Sequence, residues 1–412
     1  MLKQAGGKCL NGLNSKFCAV LGAQWGDEGK GKLIDIFANK YDVVARFNGG
    51  ANAGHTIKVG SDKYFFHLVP SGVLHPKIVN IVGNGCVLDP QLFLKEVEQL
   101  DKKNVDYKNR LFISSKTHIT LQGHVAIEKL MEERLNIGTT KKGIGTTYAA
   151  KSLRFNLRME DLMDSKNFKQ KYEEFYRFLD AIFGLHERPK DELDKLQHCI
   201  EFFRKNNMVA DTPELLHSYM KAGKRILAEG ANGCLLDIDH GTYPFVTSSS
   251  TSAGGICTGL GVPPRALETI VGVVKAYTTR VGEGPFPTEF NKEKSEVFRQ
   301  KGGEFGVTTG RARRCGWLDL NIMKRSAMLN GYSLIMISKL DVLSGLGDLE
   351  VLLQNGEMKK FEGWTEDISK ARKFEQLPSA AKKYLSFIEE YLDTPISWIG
   401  VGPDREETIQ KL

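Results

Sequence analysis

Short apolar runs recur along the chain, and each ends in glycine or in a cluster of polar residues. Runs of this length predict buried β-strands. Eight of them lie at 17–21, 42–47, 77–82, 110–113, 225–228, 269–274, 333–337 and 396–399. Helical patterns separate several of these runs, including 89–103, where Asp89 can cap the helix and Pro90 suits its first position. The alternation favours an α/β fold with a large, mostly parallel central sheet flanked by helices.

One stretch of the chain departs from this alternation. Residues 155–222 carry apolar side chains at spacings of three and four with charges between them, which is typical of amphipathic helices. Gly184 is the single glycine between positions 146 and 222. Because no linker-like segment flanks the stretch, we interpret it as a helical insertion within a single α/β domain spanning residues 1–412. Residues 1–16 form an N-terminal extension to which no role is assigned.

The composition of the 412-residue chain is close to the globular average, with 41% hydrophobic and 26% charged residues, which excludes a disordered or collagen-like protein. The formal net charge of +7 is small for this length, and we expect no nucleic-acid binding. No apolar run approaches the ~18–20 residues of a membrane span. Residues 1–16 lack the apolar centre of a signal peptide, and the seven cysteines form no C-x-x-C pair. We therefore expect a cytoplasmic protein without membrane contact.

A first glycine cluster follows the first predicted strand. Gly26, Gly31 and Lys32 have the spacing of a Walker phosphate loop, and a helical pattern begins directly after them. A strand, a glycine loop and a helix start in this order cradle phosphate with backbone N–H groups, which makes the predicted fold P-loop NTPase-like. Leu33 stands where such loops carry the Ser or Thr that binds Mg²⁺. Another group must therefore hold the metal.

Two carboxylates lie inside this loop. Asp27 and Glu28 would repel a bound phosphate unless one of them coordinates a cation or acts as a base, and the alternative is a glycine turn with solvated charges. A second glycine cluster, residues 48–56, also follows a strand and contains His55 among small residues. That setting favours an imidazole that faces a ligand. Asp27 and His55 thus offer a base and an acid at two neighbouring strand ends, where open α/β sheets bind their ligands.

An arginine-rich loop occupies residues 308–317. It places Arg311, Arg313 and Arg314 between glycines. Because guanidinium groups bind planar anions in a bidentate way, we interpret the loop as a site for a carboxylate or a phosphate. A solvated basic turn and a nucleic-acid contact are the alternatives. Aromatic residues do not alternate with these arginines, as a stacking platform for bases would require.

A candidate base-recognition segment follows the strand at 333–337. Asp341 can accept two hydrogen bonds, from N1–H and from the exocyclic amine of guanine, which adenine does not offer as a pair. Lys339 can pack its aliphatic stem over the base. Gly400 and Gly402, after the last predicted strand, offer a second wall. Together with the phosphate loop, this segment predicts GTP as a ligand.

Six stretches of the chain, taken together, resemble one known family. They are residues 24–32, 49–56, 137–140, 235–244, 308–311 and 339–341, and they occur in the family's order. The sequence resembles the adenylosuccinate synthetases, which make AMP precursors with GTP. The resemblance extends from residue 17 to about residue 405.

This resemblance implies a reaction and its chemistry. IMP, L-aspartate and GTP would give adenylosuccinate, GDP and phosphate through 6-phosphoryl-IMP, the first committed step from IMP to AMP. Asp27 would remove the N1 proton of IMP so that the 6-oxygen attacks the γ-phosphorus of GTP. His55 would stabilise that transfer as an acid. One Mg²⁺ per subunit would be held by Asp27 and by the carbonyl of Gly54.

The resemblance also implies a residue set for each substrate. The set for IMP is Asp27, Glu28, Gly29, Lys30, Asn52, Ala53, Gly54, His55, Thr140, Arg154, Asn232, Thr247 and Arg311. The set for aspartate is Val307, Thr308, Thr309, Gly310, Arg311, Ala312 and Arg313. The set for GTP is Gly26, Asp27, Glu28, Gly29, Lys30, Gly31, Lys32, Gly54, His55, Thr56, Arg313, Lys339, Leu340, Asp341, Gly400, Val401 and Gly402.

Two positions in these sets have further implications. Arg154 matches an arginine that the family inserts into the IMP site of the partner subunit, which implies a homodimer with composite sites. Asn232 stands where many members have glutamine, a longer side chain with the same amide group.

A GTP-binding regulatory switch is the alternative function. Such a switch needs a strand-end Asp-x-x-Gly that senses the γ-phosphate, and it has no use for the acid and base chemistry that Asp27 and His55 offer. A nucleic-acid-binding protein would need a basic stripe, which neither the modest charge nor the scattered aromatic residues supply.

Overall fold

The computed structural model describes residues 14–59, 62–135, 137–186, 188–306 and 310–411, so most of the predicted N-terminal extension lies outside the described residues. The strands are β1 (Phe17–Gly22), β2 (Val43–Arg46), β3 (His55–Val59), β4 (Asp62–Phe66), β5 (Val79–Val82), β6 (Val87–Leu88), β7 (Leu111–Ser114), β8 (His118–Ile119), β9 (Val209–Ala210), β10 (Ile226–Glu229), β11 (Thr269–Lys275), β12 (Thr278–Arg280), β13 (Arg314–Gly316), β14 (Leu318–Asp319), β15 (Leu334–Ser338), β16 (Leu349–Leu352), β17 (Met358–Phe361), β18 (Ile396–Gly400) and β19 (Thr408–Gln410). The helices are α1 (Lys30–Ala38), α2 (Pro90–Lys102), α3 (Gln122–Leu135), α4 (Ile144–Leu153), α5 (Met159–Met163), α6 (Phe168–Phe183), α7 (Glu192–Lys205), α8 (Thr212–Lys221), α9 (Ala253–Leu260), α10 (Lys292–Gly302), α11 (Leu320–Asn330) and α12 (Ser379–Leu392).

A central sheet organises the molecule. Within the described residues it has ten strands in the order β19-β18-β15-β11-β1-β10-β2-β5-β7-β9. Neighbouring strands run parallel, except that β19 pairs antiparallel with β18 at one edge. All eight strands predicted from the apolar runs lie in this sheet. The predicted α/β class with a mostly parallel sheet is therefore confirmed.

The two sheet strands that the sequence did not indicate are the edge strands. β9 has only two residues, Val209 and Ala210, and both are half-buried, so no continuous apolar run marks it. β19 has three residues, of which only Ile409 is buried. An edge strand is covered less completely than a central one and needs fewer apolar side chains. By contrast, every residue of the central strand β1 is buried.

The predicted helical insertion forms α5, α6, α7 and α8, with β9 between the last two. Its helical pattern is confirmed, but the segment is not wholly helical, because β9 extends the sheet beside β7. Tyr172, Phe175 and Phe203 from the insertion share a hydrophobic core with Phe93 and Val97 of α2. The proposal that it is an insertion within a single domain rests on this shared core.

The predicted start of α2 is also confirmed. The Asp89 carboxylate accepts hydrogen bonds from the backbone N–H groups of Gln91 and Leu92, and Pro90 is the first helical residue. This cap and the buried face of α2 explain why the local pattern was sufficient there. None of the helices in the described ranges is long and apolar enough to cross a membrane.

The sheet brings several chain segments to one edge. The loops after β1, β2, β10, β15 and β18 all leave the carboxyl ends of neighbouring parallel strands. In open α/β sheets ligands bind at this edge. Both glycine clusters and the candidate base-recognition segment belong to these loops, so the topology brings together residues up to about 370 positions apart, such as Lys32 and Gly402.

Candidate active site

A cavity of about 800 Å³ opens at this edge of the sheet. Its walls contain residues predicted for all three substrates. The predicted residues that line it are Gly26, Asp27, Gly29, Lys30, Gly31, Lys32, Asn52, Ala53, Gly54, Thr140, Asn232, Thr247, Arg311, Arg313, Lys339, Asp341, Gly400 and Gly402. Segments far apart in the sequence thus form one site large enough for more than one nucleotide-sized ligand.

Other predicted residues are placed differently or are not described. Among the described residues, those outside the cavity wall are Glu28, Arg154, Gly310, Ala312, Leu340 and Val401. Val307, Thr308 and Thr309 lie outside the described residues. The backbone of His55 and Thr56 begins β3, but their side chains are also outside the description. The acid role of His55 and the aspartate-loop roles therefore stay predictions.

Glu28 stabilises the predicted phosphate loop from the inside. Its buried carboxylate accepts hydrogen bonds from the N–H groups of Gln24 and Gly26, both at 2.9 Å, and contacts the Lys30 ammonium at 2.8 Å. A Cβ atom at Gly22 would lie 2.5 Å from this carboxylate, so the approach requires glycine. Glu28 thus escapes the phosphate repulsion expected from the sequence, because it is neutralised within the protein and does not line the cavity.

Asp27, in contrast, faces the cavity. Its backbone is left-handed, with φ of 60°, and its side chain is 30% exposed. The carboxylate contacts Arg313 Nε at 2.7 Å. Burial would lower the pKa of the Arg313 guanidinium, but Asp27 and Glu304 raise it above its ordinary value. Of the two loop carboxylates, only Asp27 is therefore presented to a ligand.

Lys32, at the lysine position of the Walker spacing, holds the last loop of the sheet edge. Its ammonium donates to the carbonyls of Gly402, at 2.8 Å, and Glu407, at 2.9 Å. Burial lowers its pKa to about 8. Leu33 beside it is completely buried in the core. The start of α1 and the loop after β18 thus form a continuous wall.

The wall predicted for IMP contains buried polar atoms that lack a protein partner. Asn52 donates to Thr247 Oγ1 at 3.1 Å, so two predicted IMP residues contact each other. Asn232 has a left-handed backbone with φ of 64°, and its Oδ1 is buried without a hydrogen-bond partner in the described part of the chain. The same holds for Thr139 Oγ1 in this wall. Unsatisfied buried polar atoms in a cavity wall indicate a polar ligand.

The candidate base-recognition segment forms another part of the cavity wall. Asp341 lies in a short 3-10 helix after β15, and its Oδ1 is buried without a hydrogen-bond partner among the described residues. Burial raises the pKa of this carboxyl. Lys339, with φ of 57°, donates to the Gly302 carbonyl at 2.7 Å and to Glu304 Oε1 at 2.7 Å. Asp341 Oδ1 is therefore an acceptor available to hydrogen-bond donors of a ligand.

Four further residues support the site and were not predicted from the sequence. Arg46 lines the cavity at the end of β2 and donates to the carbonyls of the second glycine cluster. Glu128 and Glu132 of α3 accept from the N–H groups of Gly143 and Gly138, each at 2.6 Å. Glu304 forms ion pairs with three side chains, Lys275, Arg313 and Lys339. The position of Arg46 just before the second glycine cluster could have indicated its role from the sequence. No local pattern indicates the roles of the three carboxylates.

Comparison with known proteins assigns the family. The family model described as adenylosuccinate synthetase matches residues 19–356 and 353–409. The chain belongs to the adenylosuccinate synthetase family. It is 48% identical over 428 residues to the adenylosuccinate synthetase of Paramecium tetraurelia, with 98% of this chain and 99% of the relative covered. It is 46% identical to that of Candida albicans, with 95% and 99% covered.

Solved structures agree with this membership of the adenylosuccinate synthetase family. The fully ligated adenylosuccinate synthetase of Plasmodium falciparum superposes with a TM-score of 0.91 at 41% identity, covering 97% of this chain and 100% of that chain. A cyanophage S-2L succinoaminodeoxyadenylate synthetase shares the fold, with a TM-score of 0.64 at 19% identity over 96% and 95% of the two chains. The predicted resemblance and enzyme class are confirmed, and the regulatory-switch alternative is not favoured.

Proposed function

We propose that the chain joins IMP to L-aspartate with GTP and releases adenylosuccinate, GDP and phosphate, the first committed step from IMP to AMP. The observation that carries this proposal is that one cavity is lined by Asp27 together with residues predicted for IMP and for GTP. The residues predicted for IMP include Asn52, Asn232 and Thr247, and those predicted for GTP include Asp341. Family membership over nearly the whole chain supports the same reaction.

The proposed chemistry has two steps. Asp27 takes the N1 proton of IMP, which places negative charge on the 6-oxygen, and this oxygen attacks the γ-phosphorus of GTP while GDP leaves. His55 stabilises the developing charge as an acid. The amine of aspartate then attacks C6 of 6-phosphoryl-IMP, loses a proton and displaces phosphate. The Arg313 contact at 2.7 Å would hold the Asp27 carboxylate in place for the first step.

The walls of the cavity also suit a Mg²⁺ ion. The Asp27 carboxylate and the backbone of Gly54 both line it, and carboxylate and carbonyl oxygens are hard ligands that Mg²⁺ prefers. Within the described residues no group of three or more His, Cys, Asp or Glu side chains forms a metal cluster. That fits Mg²⁺, which usually takes one or two protein ligands and completes its shell with water and phosphates. When bound, it would neutralise phosphate charge.

We propose a homodimer with composite sites. Arg154 ends α4, outside the cavity of its own chain, and is exposed. Leu153 beside it is 58% exposed, and α3, which packs against α4, exposes Leu130, Met131 and Leu135. Exposed apolar residues grouped on two packed helices are typical of a subunit interface. A second copy on this face would cover them and receive Arg154.

We also propose that the protein is located in the cytoplasm. The six described cysteines are free thiols, which suits a reducing compartment.

The proposed reaction is tested by omitting substrates in turn. Phosphate release from GTP should require IMP and L-aspartate together, because the 6-oxygen of IMP is the phosphoryl acceptor and the aspartate amine displaces the phosphate. ATP should be a poor substitute. The measurement is a continuous phosphate assay, with adenylosuccinate quantified by chromatography. Equal GTP hydrolysis with and without IMP would instead favour a GTPase, the class to which a switch protein belongs.

The composite site is tested by two variants. Arg154→Ala should weaken IMP binding about tenfold, because a charge-assisted contact to the nucleotide is lost, while the dimer persists. Leu153→Asp should dissociate the dimer, because it places a charge in the apolar face. Sedimentation velocity and equilibrium IMP binding separate the two effects. Unchanged IMP affinity in Arg154→Ala would refute the role assigned to this arginine.

A further inference from the structure

A buried carboxylate lies beneath the cavity and contacts three cations. Glu304 follows the end of α10, and its side chain is completely buried. Its Oε2 atom contacts Lys275 Nζ at 3.0 Å and Arg313 Nη1 at 2.6 Å. Its Oε1 atom contacts Lys339 Nζ at 2.7 Å and also accepts the Tyr277 hydroxyl. One anion therefore anchors three positive side chains.

This carboxylate is charged at neutral pH. Burial alone would raise the pKa of Glu304, but Lys275, Lys339 and Arg313 hold it well below its usual range. Burial also lowers the pKa of Lys275 to about 8. Hydrogen bonds to an ionised acceptor are about twice as strong as neutral ones. Glu304 thus fixes its partners more firmly than a neutral acceptor would.

The anchored cations belong to different parts of the site. Lys339 and Arg313 both line the cavity, whereas Lys275 does not. Lys339 directly precedes the 3-10 helix that carries Asp341, and Arg313 contacts Asp27. The backbone carbonyl of Glu304 also accepts the N–H of Arg313 at 2.9 Å, which closes the predicted aspartate loop at its base. Glu304 therefore connects the base-recognition wall to Asp27.

We propose that Glu304 is a positioning residue that holds Lys339 and Arg313 in a fixed relation, so that GTP binding and the orientation of Asp27 are set together. The inference rests on the proposed function, since it assigns GTP to one wall and proton removal to Asp27. Lys339 and Arg313 would repel each other without the anion between them. Loss of the Glu304 charge should therefore disturb the base-recognition segment and the orientation of Asp27. It should leave the part of the wall predicted for IMP unchanged.

A purely structural role is the competing explanation. Glu304 could serve only to neutralise the buried Lys275, because an unpaired charge in the interior is strongly destabilising. In that case removing Lys275 together with the carboxylate charge would restore the protein completely. Under the positioning role it would restore only the stability, because Lys339 and Arg313 would still lack their anion.

The test compares three variants of the full-length enzyme. Glu304→Gln keeps the shape and one acceptor, and it should raise the KM for GTP about tenfold and lower kcat about tenfold, with equilibrium IMP binding within about twofold of wild type. Tyr277→Phe is the matched control, because it removes a hydrogen bond from an uncharged donor to the same carboxylate and leaves the three cations paired. It should change each constant less than about threefold.

The double variant Lys275→Met with Glu304→Gln decides between the two roles. Its melting temperature should return close to that of wild type, while the KM for GTP stays about tenfold raised. Recovery of both quantities would overturn the positioning role, as would a Glu304→Gln enzyme that behaves like Tyr277→Phe. Should Glu304→Gln alone fail to fold, the double variant still gives the answer. A failure of the proposed function itself would be recognised in the wild-type enzyme, without any variant. In that case wild type would release phosphate from GTP without IMP and without aspartate.

Discussion

Asp27→Asn is expected to lower kcat by about 10³-fold or more, because it removes the base, for which losses of 10²–10⁴-fold are typical, and a proposed Mg²⁺ ligand as well. The fold should persist. Asp27 has a left-handed backbone with φ of 60°, a conformation that asparagine adopts readily, and its side chain is 30% exposed. The loop around it is held by Glu28, which the substitution leaves in place.

The matched control for this variant is Asp393→Asn. Asp393 also has a left-handed backbone, with φ of 48°, and lies exposed at the end of α12, away from the cavity. It tests the same chemical change at the same backbone geometry and should keep full activity. Turnover is measured as phosphate release at saturating substrates, with the melting temperature as the check on folding. Near-normal turnover by Asp27→Asn would show that another group removes the proton.

Asp341→Asn is expected to lower kcat/KM for GTP by about 100-fold, because a charged acceptor of two hydrogen bonds becomes an amide with one acceptor and a donor. The amide N–H₂ would face a donor of guanine. Xanthine carries a carbonyl at position 2 in place of the amine, so a xanthine nucleotide should be used better by the variant than by wild type. The structural reason for this expectation is the buried Oδ1 of Asp341, which has no hydrogen-bond partner in the part of the chain that the structure describes.

The experiment measures kcat/KM for GTP and for XTP with both proteins. Asp348→Asn is the control, because Asp348 is exposed beyond the same 3-10 helix and does not line the cavity. Its nucleotide preference should equal that of wild type. If Asp341→Asn keeps the wild-type ratio of GTP to XTP, base recognition lies elsewhere on the cavity wall.

Local sequence patterns predicted much of this candidate site. The glycine spacing around Gly26 and Gly31 predicted a phosphate loop, and the structure places Gly26 between β1 and α1 and Gly31 in the first turn of α1, both in the cavity wall. The strand-end position of Asp341 predicted a base-recognition carboxylate, and it lines the same cavity. The structure brings both segments to one cavity because short loops after parallel strands have a direction that the sheet topology already determines. Phosphate binding and base recognition stay predictions.

The sequence could not separate the two carboxylates of the phosphate loop. Asp27 and Glu28 are neighbours in the chain, and the negative charge of either carboxylate would repel a bound phosphate. The difference comes from Lys30 and from the N–H groups of Gln24 and Gly26, which enclose Glu28 inside the loop. Glu304 shows the same limit, because its partners lie at positions 275, 313 and 339 and meet only in the folded chain.

The sequence by itself determined the central strands and, through six matching stretches, the family, and it predicted the phosphate loop and the base-recognition carboxylate. These features depend on hydrophobic runs and on residues close together in the chain, so their signals are local. Only the tertiary structure decided which carboxylate faces the cavity, where the short edge strands pair, and which buried anion holds the cations of two walls. Those outcomes depend on burial and on charges brought together from distant segments, which no local pattern records.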